Sequence, residues 1–331
     1  MSTPAIGVVG AGAWGTALAQ MLAGDGREVV LWALEPELVA EINAGHTNSL
    51  FLPSAALSPA IRATGDLAEM ARCEVLLLVT PAQHLAATLA GMPSYPRDLV
   101  LCAKGIEAGT RRTMHEVAAD VAKHSEIAVL SGPTFAHEVA AGLPTAVTLA
   151  CGGGELQWNR LAPAIARPTF RPYYSSDLIG AEVGGAVKNV LAIACGVVEG
   201  LRLGQNARAA LIARGYAEMR RFGVALGAEP ATLAGLCGLG DLVLTCSSAS
   251  SRNFSLGKAL GEGLDPQALL NDRRTVAEGA HTAPVLVELA RRHTVAMPIA
   301  EAVARLLEGA PARLVVNDLL ARPLTAEEPD A

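Results

Sequence analysis

The sequence predicts an α/β N-terminal domain, a mostly parallel sheet with helices on both faces, followed by an all-α C-terminal domain. Three observations carry this. Short β-like runs alternate with helical patterns through the first half of the chain, as in a parallel sheet covered by crossover helices. Gly10-Ala11-Gly12-Ala13-Trp14-Gly15, a G-x-G-x-x-G run, joins the first strand to the first helix. Past about Ser175, strand signals give way to long, alanine-rich, helix-periodic runs. The boundary falls near residues 175–180, giving domains of residues 1–177 and 178–331.

The elements follow in order. Ala5-Ile6-Gly7-Val8-Val9 reads as a strand and Thr16 to Ala23 as a helix with a crowded apolar face. Glu28 to Trp32 is the next strand and Pro36 to Asn43 a helix. Val75-Leu76-Leu77-Leu78-Val79 is almost purely aliphatic, which suits a strand buried on both faces. Pro81 ends it, and Ala82 to Leu89 is helical. Leu99 to Cys102 and Ile127 to Leu130 are further strands, with a helix from Thr113 to Ala122 between them. In the second half, Leu178 to Leu201, Ala207 to Leu226 and Ala283 to Arg292 read as helices.

Composition narrows the class. The chain has 331 residues, 51% hydrophobic and 18% charged, as a globular protein with a sizeable core requires. Aromatics are 4%, so packing relies on small aliphatic side chains. A net charge of −6 argues against a general nucleic-acid or membrane-surface binder. Six cysteines are scattered without a C-x-x-C pair and read as core residues in a reducing compartment. No histidine partner marks any of them as a nucleophile, and the seven histidines lack metal-ligand spacing, so no metal is expected. Met1-Ser2-Thr3-Pro4 leads directly into a strand rather than a signal peptide. The longest apolar stretches contain Lys188 or are broken by glycine and charge, so no membrane span is expected and a cytoplasmic location follows.

The glycine run has the context of a Rossmann-type dinucleotide site. Gly10 permits the tight turn, Gly12 lets a pyrophosphate approach the backbone, and Gly15 lets helix and strand pack closely. The helix N-terminus then offers unpaired N–H groups to phosphate. The cofactor's 2′ position is read near Ala33-Leu34-Glu35; Glu35 suits a ribose hydroxyl or simply starts a helix before Pro36. NAD and NADP both stay open.

Lys188 is the only charge between Glu182 and Glu199, a stretch of small and apolar residues. Burial there would lower its pKa and suit it to proton transfer, or it snorkels to solvent. Lys104 follows the strand ending at Cys102, where it reaches a substrate oxyanion or lies on a surface loop. Ser131-Gly132-Pro133-Thr134-Phe135-Ala136 offers N–H groups and a hydroxyl at another strand end, or an ordinary helix cap. Asp241, in Gly238-Leu239-Gly240-Asp241-Leu242, pairs with a buried lysine or caps a helix. Ser250-Ser251-Arg252-Asn253 forms a phosphate cradle or a capped surface helix.

Together these segments resemble the bacterial-type NAD(P)-dependent sn-glycerol-3-phosphate dehydrogenases. The carrying blocks are Gly10 to Ala19, Ser131 to Ala136, Gly184-Gly185-Ala186-Val187-Lys188-Asn189-Val190, Gly238 to Leu242 and Ser251-Arg252-Asn253, spread from residue 5 to about 310. The resemblance implies a cytoplasmic oxidoreductase with NAD or NADP as cofactor. It would interconvert dihydroxyacetone phosphate and sn-glycerol 3-phosphate for glycerophospholipid synthesis. It implies Lys188 as proton donor and acceptor, Lys104 as a second cation near the substrate carbonyl and the cofactor, and Asp241 as the carboxylate beside them. Ser251, Arg252 and Asn253 would contact the substrate phosphate, Arg252 also the cofactor, and Gly132 and Thr134 would line the substrate site. Gly10, Gly12, Ala13, Trp14, Gly15, Leu34, Ala136, Val276 and Glu278 match cofactor contacts. Residues 1–177 are then the dinucleotide-binding domain and 178–331 the substrate and catalytic domain. Partners reduce to a small-molecule substrate, with no nucleic acid and no membrane; a homodimer is compatible with the apolar helical half. Ala33-Leu34-Glu35 replaces the family's common arginine or histidine, and Phe254-Ser255-Leu256 a basic run.

Two rivals compete. A β-hydroxyacid or 6-phosphogluconate dehydrogenase shares the two-domain plan and a helical lysine–asparagine pair, but Ser-Arg-Asn and Gly-Leu-Gly-Asp favour a small phosphorylated ketone. A non-catalytic dinucleotide sensor leaves Lys188, Asp241 and Arg252 without a shared task.

Overall fold

The computed structural model describes residues 6–93, 95, 98–270, 277–324 and 326–327. The chain divides into two compact units. The first comprises Met1–Ala103 and Thr113–Leu178, the second Lys104–Arg112 and Ile179–Ala331. The short segment 104–112 thus leaves the first unit's sequence to join the second, a crossing that the contiguous 1–177 division does not contain.

The first unit is built on one eight-stranded sheet. Its strands are β1 (Ile6–Val9), β2 (Val29–Trp32), β3 (Ile61–Thr64), β4 (Val75–Leu78), β5 (Asp98–Leu101), β6 (Glu126–Ser131), β7 (Thr145–Cys151) and β8 (Phe170–Ser175). Their order is β3-β2-β1-β4-β5-β6-β7-β8. Every pairing is parallel except β6 with β7. Ile6 of β1 pairs with Val29 of β2 on one side and Val75 of β4 on the other. The connection therefore reverses direction at β1, and in open α/β sheets ligands bind at the carboxyl ends of strands at such a switch point. Leu76, Leu77 and Leu78 are fully buried, as the aliphatic run requires.

β3, β7 and β8 are absent from the sequence reading. Both edges of the sheet are among them, where one flank is unpaired and hydrophobic patterning weakens. β8 even carries Pro172, which an edge strand tolerates because no ladder donor is lost on its open side. The first helix starts at Ala13 rather than Thr16, because its N-cap is Gly12 and no polar side chain announces it. Ala5 lies outside the described residues.

The second unit is helical. Its centre is the helix Leu178–Gly200, buried at every residue from Gly180 to Val198. By length and apolarity alone this helix qualifies to cross a membrane, but it is the core of the unit, enclosed by protein. Around it lie helices Gln205–Ala225, Asp241–Cys246, Arg252–Gly261, Glu278–Arg292, Pro298–Leu307 and Ala312–Leu320. The helix Arg252–Gly261 crosses it backbone against backbone. A Cβ on Gly196 or Gly200 would run into the carbonyl oxygens of Phe254 and Lys258, and one on Gly257 into that of Ile193. Small residues on both helices thus set the distance, so the Arg252 end is fixed against the lysine helix. Glu218, buried on Gln205–Ala225, accepts from the N–H groups of Ile299 (2.8 Å) and Ala300 (3.3 Å) and holds the start of Pro298–Leu307.

Candidate active site

The glycine loop belongs to the sheet unit. Gly10 has φ +113°, and a Cβ on it would press on the Val79 carbonyl at 3.0 Å, beyond the end of β4. A Cβ on Gly15 would collide with the Gly10 carbonyl. Gly12 differs. Its φ of −65° suits any residue, and a Cβ there would meet nothing within 4 Å. The fold does not need a glycine at this point; a pyrophosphate approaching the backbone does. The helix from Ala13 has no side-chain cap and no acidic residue in its first turn, leaving its N–H groups to an anion. Two buried side chains brace the loop. Asn48 donates to the Ala11 carbonyl (2.9 Å) and to the Thr16 hydroxyl (2.8 Å), and Thr16 donates to the same carbonyl (3.0 Å).

Three buried polar atoms at these strand ends have no partner among the described residues: Trp14 Nε1, Thr80 Oγ1 and Ser131 Oγ. Buried polar groups are ordinarily satisfied, so these fit a polar ligand. Past β6, Thr134 donates to the Gly132 carbonyl at 3.3 Å, and Ala136 opens a short helix. A Cβ on Gly132 would lie 2.9 Å from Val147 Cα, so the chain passes close to β7 there. Leu34 is exposed just beyond β2, and Glu35 is the N-cap of Pro36–Gly45 without a side-chain cap bond. The loop, its uncapped helix and these orphaned atoms fit a dinucleotide. A larger hollow of about 650 Å³ on this unit, between Trp158 and Pro172, contains none of the predicted site residues.

The helical unit holds the ionisable residues. Lys188 sits midway along Leu178–Gly200, its side chain only 7% exposed. Its Nζ donates to Asp241 Oδ1 at 2.5 Å and to the Thr245 hydroxyl at 2.9 Å. Thr245 in turn donates to the same carboxylate oxygen at 3.2 Å. Lys104 Nζ donates to the other oxygen, Asp241 Oδ2, at 2.7 Å. Asp241 has no exposed surface. It is not a helix cap: the cap is Gly240, the last residue of a single π-helical turn, Leu236–Gly240, that leads into Asp241–Cys246. π-turns of this kind often mark functional sites.

This geometry sets the two lysines apart. Burial pulls Lys188 down to about 8, against Asp241, which raises it, and with Lys104, which lowers it further. Burial also pulls on Lys104, but the Asp241 carboxylate outweighs it and leaves Lys104 above its ordinary value. One lysine is poised to exchange a proton near neutrality, and the other stays a fixed positive charge. Burial holds Glu278 above the usual carboxylate range, despite the opposing charges of Arg252, Lys104 and Lys188. Burial also pushes the Cys73 and Cys151 thiols up to about 11 and about 12, which disfavours thiolate chemistry.

A second network adjoins the first. Asn189, next to Lys188, donates to the Lys104 carbonyl at 3.5 Å and accepts from Asn253 Nδ2 at 3.0 Å. Asn253 Oδ1 accepts from the Gly279 N–H at 2.9 Å. Ser251 caps its own helix by accepting from the Phe254 N–H at 3.2 Å. Arg252 is exposed at that helix's first turn and makes no hydrogen bond or ion pair among the described residues. Beside it opens a cavity of about 290 Å³ lined by Ser250, Ser255, Leu256 and Ala277 among others. Glu278 starts the helix carrying Gly279. Val276 lies outside the described residues.

Comparison with known proteins bears on this constellation. Residues 5–156 match the family described as NAD-dependent glycerol-3-phosphate dehydrogenase N-terminus, and residues 177–316 match its C-terminus. A glycerol-3-phosphate dehydrogenase [NAD(P)+] of Novosphingobium aromaticivorans is 73% identical over 325 residues, 98% of each chain. The chain belongs to the NAD-dependent glycerol-3-phosphate dehydrogenase family. That of Caulobacter vibrioides is 55% identical over 331 residues, covering 99% of this chain and all of the relative. The crystal structure of glycerol-3-phosphate dehydrogenase from Coxiella burnetii superposes with a TM-score of 0.91 at 39% identity, covering 97% of this chain and 99% of its own. The enzyme from Saccharomyces cerevisiae follows at 0.81 and 26%, covering 97% and 100%.

Against that family background, two groups stand out that sequence reasoning passed over. Thr245 was legible only as a hydroxyl one turn after Asp241, on the same helix face (i, i+4). Asn48 gave no signal at all, because it reaches the glycine loop across 37 residues.

Gly12→Ala separates ligand from fold. The free protein should keep its stability to within about 1 kcal/mol, since no atom obstructs the new methyl. NADH affinity should fall about tenfold or more, measured by calorimetric titration. Unchanged affinity would place the pyrophosphate elsewhere.

Proposed function

We propose that Lys188 supplies the proton when this chain, an NAD(P)-dependent oxidoreductase acting on a CH–OH group, reduces dihydroxyacetone phosphate to sn-glycerol 3-phosphate for glycerophospholipid synthesis. The observation that supports this role most directly is the buried carboxylate of Asp241 shared by two ammonium groups, with Lys188 near 8 and Lys104 held charged.

NADH or NADPH, when bound, supplies the hydride to C2 of the ketone. Negative charge then develops on the ketone oxygen, and Lys188 Nζ donates its proton there. Lys104 keeps its proton and stabilises that charge electrostatically. Asp241 and Thr245 fix Lys188 in place without taking part in the transfer. In the oxidative direction, neutral Lys188 accepts the hydroxyl proton. Arg252, with its exposed guanidinium beside the cavity and the N-terminus of its helix, binds the substrate phosphate and orients C2. Asn253, whose amide bridges Asn189 and Gly279, ties that phosphate site to the lysine helix. Glycine loop residues Gly10 to Gly15, with Leu34, Ala136 and Glu278, hold the dinucleotide, and Gly132 and Thr134 line the substrate site.

A cytoplasmic location and a homodimer complete the proposal. Six free, buried cysteines suit a reducing compartment. The helix Ala312–Leu320 leaves Leu314 and Leu320 exposed, apolar surface that a second copy would cover. Sedimentation velocity at micromolar concentration should show a dimer, and a monomer would remove that part.

Lys188→Ala should lower kcat by about 10²–10⁴-fold with NADH binding retained. In the parent protein, kcat/KM for reduction should fall as pH rises through about 8, where Lys188 loses its proton, and that for oxidation should rise across the same range. Near-normal turnover of the variant, or a flat profile around 8, would sink the role of Lys188. Arg252→Ala should mainly raise KM for the phosphorylated ketone, by about 10- to 100-fold for a lost charged hydrogen bond of about 1.5–3 kcal/mol. An unchanged KM would move the phosphate site.

A further inference from the structure

Lys104 follows a sheet strand in sequence yet belongs to the helical unit in space. The segment Lys104–Arg112 explains how. At its start, Lys104 is held by its carbonyl bond from Asn189 and its ion pair with Asp241. Two residues on, Ile106 is 3% exposed and packs into the helical core. The remainder closes into a compact loop: the Arg111 N–H donates to the Glu107 carbonyl (2.8 Å), the Glu107 N–H donates to the Arg112 carbonyl (3.0 Å), and the Thr110 hydroxyl bonds the Glu107 carboxylate.

The loop's far end carries a conformational cost. Arg111 has φ +63°, a left-handed conformation uncommon for a residue with a side chain. Its guanidinium pairs with Glu288 at 2.6 Å. Glu288 lies on Glu278–Arg292, the helix whose Gly279 N–H holds Asn253. Arg111 in turn holds the Glu288 carboxyl below its usual range, so the pair persists across the working pH.

We propose that Lys104–Arg112 is a strap that positions Lys104 beside Asp241, and that the Arg111–Glu288 ion pair is its clasp. Arg111 and Glu288 are positioning residues: neither touches the lysines, and both act through where the strap lies. The inference rests on the reading of Lys104 as a working cation. Its consequence is electrostatic. Among the described residues, Asp241 and Lys104 act on Lys188, and Glu278 and the Cys246 thiol in turn feel its charge. Loosening the strap withdraws Lys104, leaves Asp241 to Lys188 alone, and moves Lys188 back toward higher pH.

The test uses full-length Glu288→Gln, Arg111→Gln, the double variant and Arg111→Lys, with Lys104→Ala as reference. An exposed ion pair contributes about 0.2–1 kcal/mol, so each single neutral variant should lower kcat by about 1.4- to 5-fold. The alkaline limb of the reduction profile should move upward, with the NADH dissociation constant unchanged. The double variant should be no worse than either single, and Arg111→Lys should restore most of the rate. A lowered Tm with kcat and the pH limb both unmoved overturns the clasp, as do additive losses in the double variant. If Lys104→Ala shifts kcat and the limb while the clasp variants shift neither, the clasp alone fails. If Lys104→Ala itself shifts neither, the role of Lys104 fails and the clasp with it.

Discussion

One fully buried carboxylate organises the helical unit. Burying a carboxylate costs free energy unless cations pair with it, and burying two ammonium groups costs likewise unless an anion pairs with them. Each of its oxygens takes one ammonium, so a single side chain joins three parts of the chain: the strap, the central helix and the helix that follows the π-turn. The arrangement is lopsided by construction. Thr245 engages the Lys188 side alone, and Lys188 is the more enclosed of the two cations. The two cations thus differ in direction: burial and the neighbouring Lys104 lower Lys188, while Asp241 holds Lys104 above its ordinary value.

That carboxylate depends on packing that brings backbones into contact. A Cβ on Gly184 would collide with the backbone of Cys237 and Gly238 in the π-turn, and one on Gly279 with the carbonyl of Asn189. Glycines also set the crossing of Leu178–Gly200 with Arg252–Gly261. Side chains of ordinary size at these contacts would push the helices apart by more than a hydrogen bond can span. The small-residue composition is thus part of the site: it brings Asn189, Asn253 and Gly279 within reach of one another and sets Arg252 at the edge of the network.

Much of this was legible in the sequence, for identifiable reasons. The buried strands and the glycine run were readable because each states its own requirement locally: aliphatic side chains on both faces, and no side chain where backbone or ligand must approach. Lys188 was conspicuous as the one charge between Glu182 and Glu199 in an apolar stretch, and Asp241 as one carboxylate among glycines. Edge strands β3 and β8 were not readable, since half their surroundings impose nothing on them. The partnership of Lys104 was hidden for a different reason. Its neighbours in sequence belong to the sheet, and only tertiary contacts, Ile106 in the helical core and Arg111 on Glu288, carry it away. Asn48 and Thr245 were silent because a lone polar side chain gives no periodic signal, whatever it bonds.

The central helix has a consequence beyond the folded state. Lys188 is the eleventh of its 23 residues, in a segment that by length and composition qualifies to cross a bilayer. Its partner Asp241 lies 53 residues further on, so a chain emerging from the ribosome carries this lysine unpaired for seconds at ordinary elongation rates. A lysine at the middle of a membrane-inserted helix costs about 2.5–3.5 kcal/mol, against gains of a few tenths from each aliphatic neighbour. An unpaired ammonium thus weighs against lipid as a surrounding for this helix, whereas in the folded unit Asp241 meets the same charge within protein.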